Sequence, residues 1–214
     1  NLSKETSKII SEELYYRFIT YTWVYAQLGV VIFGAYAVTL GKVNTAVEWI
    51  GFVLATSLIT GGIGITVAHE LGHKKSKLEQ FYSKVLLMTV CYMHFFIEHN
   101  KGHHVHVSTK KDPATSRKNE NFYFFWFRSV FKGYQSAWHI ENESRKRKGI
   151  SAFGLGNQMI WFFILPIVFC SVLTLIFSYY LGAFAWQVPV YFFTQSILGF
   201  TLLEQVNYIE HYGI

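Results

Sequence analysis

Charge is scarce in this sequence. Asp, Glu, Lys and Arg make up 15% of its 214 residues, against about 25% in an ordinary soluble domain, which argues against a solvated globule. Cysteine is nearly absent too. Cys91 and Cys170 both lie in apolar stretches, which excludes a disulfide framework and leaves two thiols acting as small hydrophobes. There is no internal repeat, no low-complexity tract, no signal-peptide pattern and no RNA- or DNA-binding motif, so the net charge of +6 is not a nucleic-acid footprint. The chain opens on Asn1 rather than Met, and a fragment or trimmed chain is expected.

Apolar residues are abundant at 51%, aromatics at 19%. They gather in five stretches, at 16–40, 47–67, 81–97, 156–181 and 184–206. All but 81–97 reach the ~20 residues that a hydrocarbon core requires of a helix and are predicted to span a membrane. With Asn1 inside, Lys42 is the only one of the nineteen Lys and Arg residues placed outside, as the positive-inside rule demands. If 81–97 crossed as well, the basic segment "KGHHVHVSTKK" would be exposed outside, so 81–97 is expected to be re-entrant or interfacial. The fold class is all-α: a polytopic transmembrane helical bundle with a cytoplasmic, histidine-rich cap over roughly 69–154, forming a single domain over 1–214. The basic run at 145–148 reads as a solvated turn beside the membrane, or as a lipid or partner contact.

Nine histidines are present, most of them clustered. His69 and His73, in "HELGHKK", are four apart and share one face of a helix continuing the second span. "EHNKGHHVHV" holds His99 and His103 at the same spacing, with His104 about 100° away around a 3.6-residue turn. "EQVNYIEHYGI" places Glu204, Asn207 and His211 on the inner end of the last span. His94, His106 and His139 are isolated and read as interfacial hydrogen-bonders.

"HELGH" alone fits a zinc protease with Glu70 as general base. A catalytic zinc takes three protein ligands, however, and the downstream Gly and third His of the extended protease motif are missing. Six clustered imidazoles are too many for one zinc and suit part of a pair of six-coordinate metals.

The three clusters resemble the boxes HELxHK, EHxxGHHxxV and NYxEHYGL of the integral-membrane non-haem di-iron alkane 1-monooxygenases. Between them, "KDPATSRKNENFYFFWF" is similar to the family's DPA-x-x-R segment and the aromatic stretch after it. The likeness covers most of the chain from about Gly62. It implies two non-haem iron ions with His69, His73, His99, His103, His104 and His211 as ligands. Glu70, Glu98, Asn207, Tyr208 and Glu210 fall on motif positions, where carboxylates behind the ligands would orient imidazoles and raise their basicity.

The resemblance also implies a further H-S-D-H-H box beyond Ile214 and more helices before the first span, so the domain is expected to be incomplete at both ends. The family's activity is hydroxylation of the terminal methyl of medium- or long-chain alkanes to 1-alkanols, with O2 as co-substrate. Its electrons come from rubredoxin and an NADH-dependent rubredoxin reductase, and its expected location is the bacterial inner membrane with the boxes on the cytoplasmic side. Xylene monooxygenases and fatty-acid desaturases or hydroxylases carry related boxes and are the alternatives. Gly62 and Thr66, seven and three residues before His69, would line a substrate channel, while "TGGIG" also reads as small residues at a close helix contact.

Overall fold

The computed structural model describes residues 14–213, and within them all regular structure is helical. Lys4 and Lys8, counted above toward the inner face, and Ile214, the last residue of the third box, lie outside the described residues. Helix α1 covers Leu14–Thr39. Helix α2, Ala46–Ser57, starts from a capping box in which the Thr45 hydroxyl accepts the Glu48 N–H and the Glu48 carboxylate accepts the Thr45 N–H. It passes without a break into a π-helix at Leu58–Ile65 and on into α3, Thr66–Gly72. Helix α4 is Lys77–Met88, α5 is Phe95–Glu98, a second π-turn covers His99–His103, and α6 is His104–His106. The long helices α7, Phe122–Arg147, α8, Gln158–Leu181, and α9, Gln187–Glu210, complete the fold.

Among the described residues three helical runs are long and apolar enough to cross a membrane: Arg17–Thr39, Ala46–Gly72 and Gln158–Leu181. Helix α9, expected as a fourth span over 184–206, is just as long, but Gln195, Ser196, Thr201 and Glu204 make it less apolar. Its position supplies the reason. It packs against α1, α2, the first π-helix, α7 and α8, so its polar groups are sheltered by neighbours.

The distribution of side chains is inverted relative to a soluble bundle. Ile32, Phe33, Ile50, Leu54, Leu58, Phe163, Ile167 and Leu175 face outward, whereas Gln27, Thr60 and Gln195 are completely buried. Exposed apolar surface on this scale belongs against lipid, and the chain is an integral membrane protein.

The 81–97 stretch is two helices, α4 and α5, separated by irregular backbone at 89–94. Backbone of this kind is tolerated at membrane depth only where protein satisfies it. Here Gln195 Nε2 donates to the Thr89 carbonyl at 2.8 Å, Gln27 Nε2 donates to the Thr89 hydroxyl at 2.7 Å, and the Thr60 hydroxyl holds Gln195 Oε1 at 2.8 Å. Three helices thus hold the break that leads into the second histidine cluster.

Candidate metal centre

His69 and His73 are one α-helical turn apart on α3 and at its C-terminal cap, with Nε2 atoms 3.0 Å from each other. The second cluster departs from the expected register. The π-turn at His99–His103 closes i→i+5 rather than i→i+4, which brings His99 and His104 to the same face, Nε2 to Nε2 3.0 Å. The circuit closes with His69 to His99 at 2.7 Å and His104 to His73 at 3.3 Å. All four ligand atoms lie within 4.8 Å of one another.

Hydrogen bonds alone would satisfy this circuit only if tautomers alternated and each N–H were shared between two acceptors. Four lone pairs meeting one cation need neither condition. A square of about 3 Å side has its centre about 2.1 Å from each corner, which matches a metal–imidazole bond. Burial, then the neighbouring imidazoles, pushes His99 down to about 2. Burial and His73 also lower His104. Both rings are therefore held neutral, the form that ligates.

His103 turns the other way. Its Nδ1 donates to Asp112 Oδ2 at 2.9 Å, since a carboxylate only accepts; burial lowers its pKa, but the bond to Asp112 and its charge outweigh burial and raise it, and in the neutral ring Nε2 is the atom with the free lone pair. Its ring packs 4.8 Å from that of His211 and 5.2 Å from that of His99. The six histidines singled out by sequence therefore form four convergent imidazoles plus an adjoining pair.

Asp112 was not assigned a role from sequence. It is buried and also accepts from Thr115 Oγ1 at 2.5 Å and from the Ala114 N–H at 3.0 Å. Burial raises its pKa, but the bonds from His103 and Thr115 outweigh burial and hold it below the usual carboxylate range. The available signal was the Asp of "DPATSR", nine residues from His103.

The residues expected behind the ligands divide. Glu70 is paired with Lys74 Nζ at 2.7 Å and its side chain is 57% exposed, so it is turned outward, not toward the imidazoles as a protease base must be. Glu98 and Glu204 are buried, and Glu98 Oε1 and Glu204 Oε2 have no hydrogen-bond partner. They line, with Tyr92, His99, His103 and Asn207, a cavity of about 20 Å³, room for about one water. Burial first, then the charge of Asp112, pushes Glu98 up to about 7. Tyr208 braces the loop before α7, its hydroxyl donating to the Glu120 carbonyl at 2.6 Å. Of the isolated histidines, His94 is buried with its ring edge-on to Tyr92 and Tyr134.

A second cavity, of about 290 Å³, is walled by Gly61, Gly62, Ile65, Thr66, Leu202, Leu203 and Val206, with His69, His99, Asn207 and Glu210 also on its surface. The "TGGIG" segment combines close packing with open space. A Cβ on Gly61 would sit 2.4 Å from the Gly199 carbonyl oxygen, and one on Gly64 would collide with Gln27, whereas one on Gly62 meets nothing within 4 Å. Gly61 and Gly64 allow close helix packing, while Gly62 faces open space.

The fatty acid desaturase family profile matches residues 44–214. Among curated proteins the chain is 38% identical to alkane 1-monooxygenase 2 of Pseudomonas aeruginosa over 203 residues, 94% of this chain and 51% of that protein. It is 36% identical to alkane 1-monooxygenase of Pseudomonas putida over 216 residues, 100% of this chain and 51% of that protein. It is 25% identical to the xylene/toluene monooxygenase hydroxylase component XylM of Pseudomonas putida, over 87% of this chain and 48% of that protein. The chain thus spans about half the length of the curated relatives it matches. With a histidine cluster suited to a metal set in an apolar helical bundle, and a family profile covering most of its length, the chain belongs to the fatty acid desaturase family.

Proposed function

We propose that this chain forms the histidine-rich core of a membrane-bound di-iron monooxygenase that converts the terminal methyl of medium- or long-chain alkanes to a 1-alkanol, with the histidines on the cytoplasmic side of a bacterial inner membrane. His69, His73, His99 and His104 would hold one iron, and His103 and His211 would belong to the second. The observation that carries the reading is the 290 Å³ cavity, whose apolar wall runs from Gly62 to the imidazoles of His69 and His99. The names of the alkane 1-monooxygenase relatives support it.

When bound, imidazole-ligated iron supplies the oxidising power toward a methyl C–H that no side-chain acid or base possesses. The chain's own residues bind and aim the substrate. Ile65, Leu202, Leu203 and Val206 offer an alkane only apolar contact, which favours it through burial. Thr66 does not spoil that wall, because its hydroxyl donates to the Gly62 carbonyl at 2.7 Å. Phe95 stacks on His99 at 4.7 Å between ring centres, which restrains one of the two imidazoles on the cavity surface. Asp112 fixes the tautomer of His103.

The test is metal analysis of the complete gene product purified in detergent, together with product analysis on octane and xylene. About two irons per chain and 1-octanol are expected; a single zinc with negligible iron would overturn the proposal. Replacing Gly62 by Leu fills open space rather than a packed contact. The variant is expected to retain its metal and to lose at least about tenfold in turnover of long alkanes relative to short ones, since one blocked methylene position is worth about 1–3 kcal/mol. An unchanged chain-length profile would remove Gly62 from the channel.

We further propose rubredoxin, supplied by an NADH-dependent reductase, as electron donor. The supporting feature is an open groove of about 400 Å³ bordered by Lys110, Lys111, Arg117, Arg128, Lys132 and His139, with Asp112, the partner of His103, in its lining. Surplus positive charge around a concave surface steers an acidic carrier. The double variant Lys110→Glu/Lys111→Glu is expected to raise the KM for rubredoxin about tenfold or more at low salt, with the KM for octane unchanged. The difference should fade as salt approaches about 0.5 M.

A further inference from the structure

Helix α7 begins with the sequence "FYFFWFRSVF", in the region that the linear reading places in a cap outside the membrane. Its packing ties its first turns to the last apolar helix. The Trp126 indole N–H donates to Thr201 Oγ1 at 2.9 Å and its ring stacks on Phe200 at 5.8 Å. Both partners adjoin Gly199, which is in contact range of Gly61. Gly61 lies eleven residues inside the Gly72 end of the Ala46–Gly72 apolar run, roughly 16 Å along the helix at 1.5 Å per residue. The Trp126 indole therefore reaches the level of the apolar spans.

Along the same turns of α7 four large aromatic side chains point away from the protein: Tyr123, Phe124, Phe127 and Phe131, between 59% and 77% exposed. Their positions fall within about 100° of one another on the helix. The cations of the same segment are directed elsewhere. Arg128 is tied to Glu120 at 2.6 Å and to the carbonyls of Pro113 and Thr115, and Lys132 borders the basic groove. The result is an aromatic face without charge, on the side of α7 turned away from the basic groove.

We infer that the first half of α7 is embedded in the bilayer, with Tyr123, Phe124, Phe127 and Phe131 as its lipid-contact face. Uncharged aromatic surface favours the acyl-chain and interfacial layers, and the level of Trp126 leaves lipid as the medium this face meets. The embedded turns also hold the site from behind. Helix α7 packs on α5, directly before His99, and Ser129 and Gly133 line the small cavity beside Glu98 and Glu204.

The test places single cysteines at Phe127 and Phe131, with Lys111→Cys as an aqueous reference, in the complete protein in nanodiscs of phosphatidylethanolamine and phosphatidylglycerol. Nitroxide labels at 127 and 131 are expected to collide several-fold more with dissolved oxygen than with a water-soluble nickel chelate, and the label at 111 the reverse. Nickel access at 127 and 131 would overturn the inference by showing a solvated face. Exclusion of both reagents with spin–spin broadening would overturn it in favour of a second copy of the chain. Photolabelling of the unsubstituted protein by a diazirine in the phospholipid tail provides a measurement free of folding defects. The peptide containing residues 122–131 should carry the label, and its absence there would contradict the proposal.

Discussion

His99→Ala is expected to lower bound iron to half or less and to reduce alkane hydroxylation by on the order of 1,000-fold. His99 is the histidine common to both groups: its Nε2 meets His69 at 2.7 Å and His104 at 3.0 Å, and its ring stacks 5.2 Å from that of His103. Its loss leaves one corner of the four-imidazole circuit empty and removes the packing surface of the adjoining pair. Asp112→Asn makes the matched comparison, because it keeps every imidazole and weakens only the hold on His103. Partners behind a ligand are worth about 10- to 100-fold in metal affinity or activity, so the aspartate variant should fall between wild type and His99→Ala. Metal analysis and octane turnover on the same preparations measure both. Equal losses in the two variants would mean that His103, not His99, governs the centre.

The second large effect concerns stability. Gly61→Ala places a Cβ 2.4 Å from the Gly199 carbonyl oxygen and 2.6 Å from its Cα. Both are backbone atoms, so no rotamer change relieves the clash and the first π-helix must separate from α9. Overpacking of this kind costs about 3 kcal/mol, which corresponds to a fall of roughly 6–12 °C in Tm for a chain of this size. Gly62→Ala, one residue away, adds its methyl to open space and should leave the midpoint within about 2 °C of wild type. Thermal unfolding in one detergent compares them. If the two alanine variants behaved alike, the contact between Gly61 and Gly199 would not be what sets the helix separation.

The glycines show how a linear reading and a fold divide the information. "TGGIG" is legible as a place of close approach or open space because both follow from small side chains. Which glycine does which depends on where α9 passes, more than a hundred residues later in the chain. The same holds for the histidines. The one-turn spacing of His69 and His73 is a local property of an α-helix, and it persists. Applied to "EHNKGHH", that periodicity pairs His99 with His103, whereas the π-turn pairs His99 with His104 and turns His103 toward Asp112. Glu70 occupies a motif position and yet faces Lys74, because i,i+4 neighbours on an exposed helix face find each other first.

The sequence by itself determined the class of molecule, a helical membrane protein. Too little charge and long apolar runs leave no other way to satisfy a backbone in lipid. It also determined which imidazoles are available, through three boxes readable residue by residue. Only the tertiary structure decided the circuit of four histidines and the pair beside it, the aspartate bound to His103, and the packing of the aromatic helix against α9. Each of those depends on contacts between residues remote in the chain or on a shift of helical register, and a 3.6-residue periodicity encodes neither.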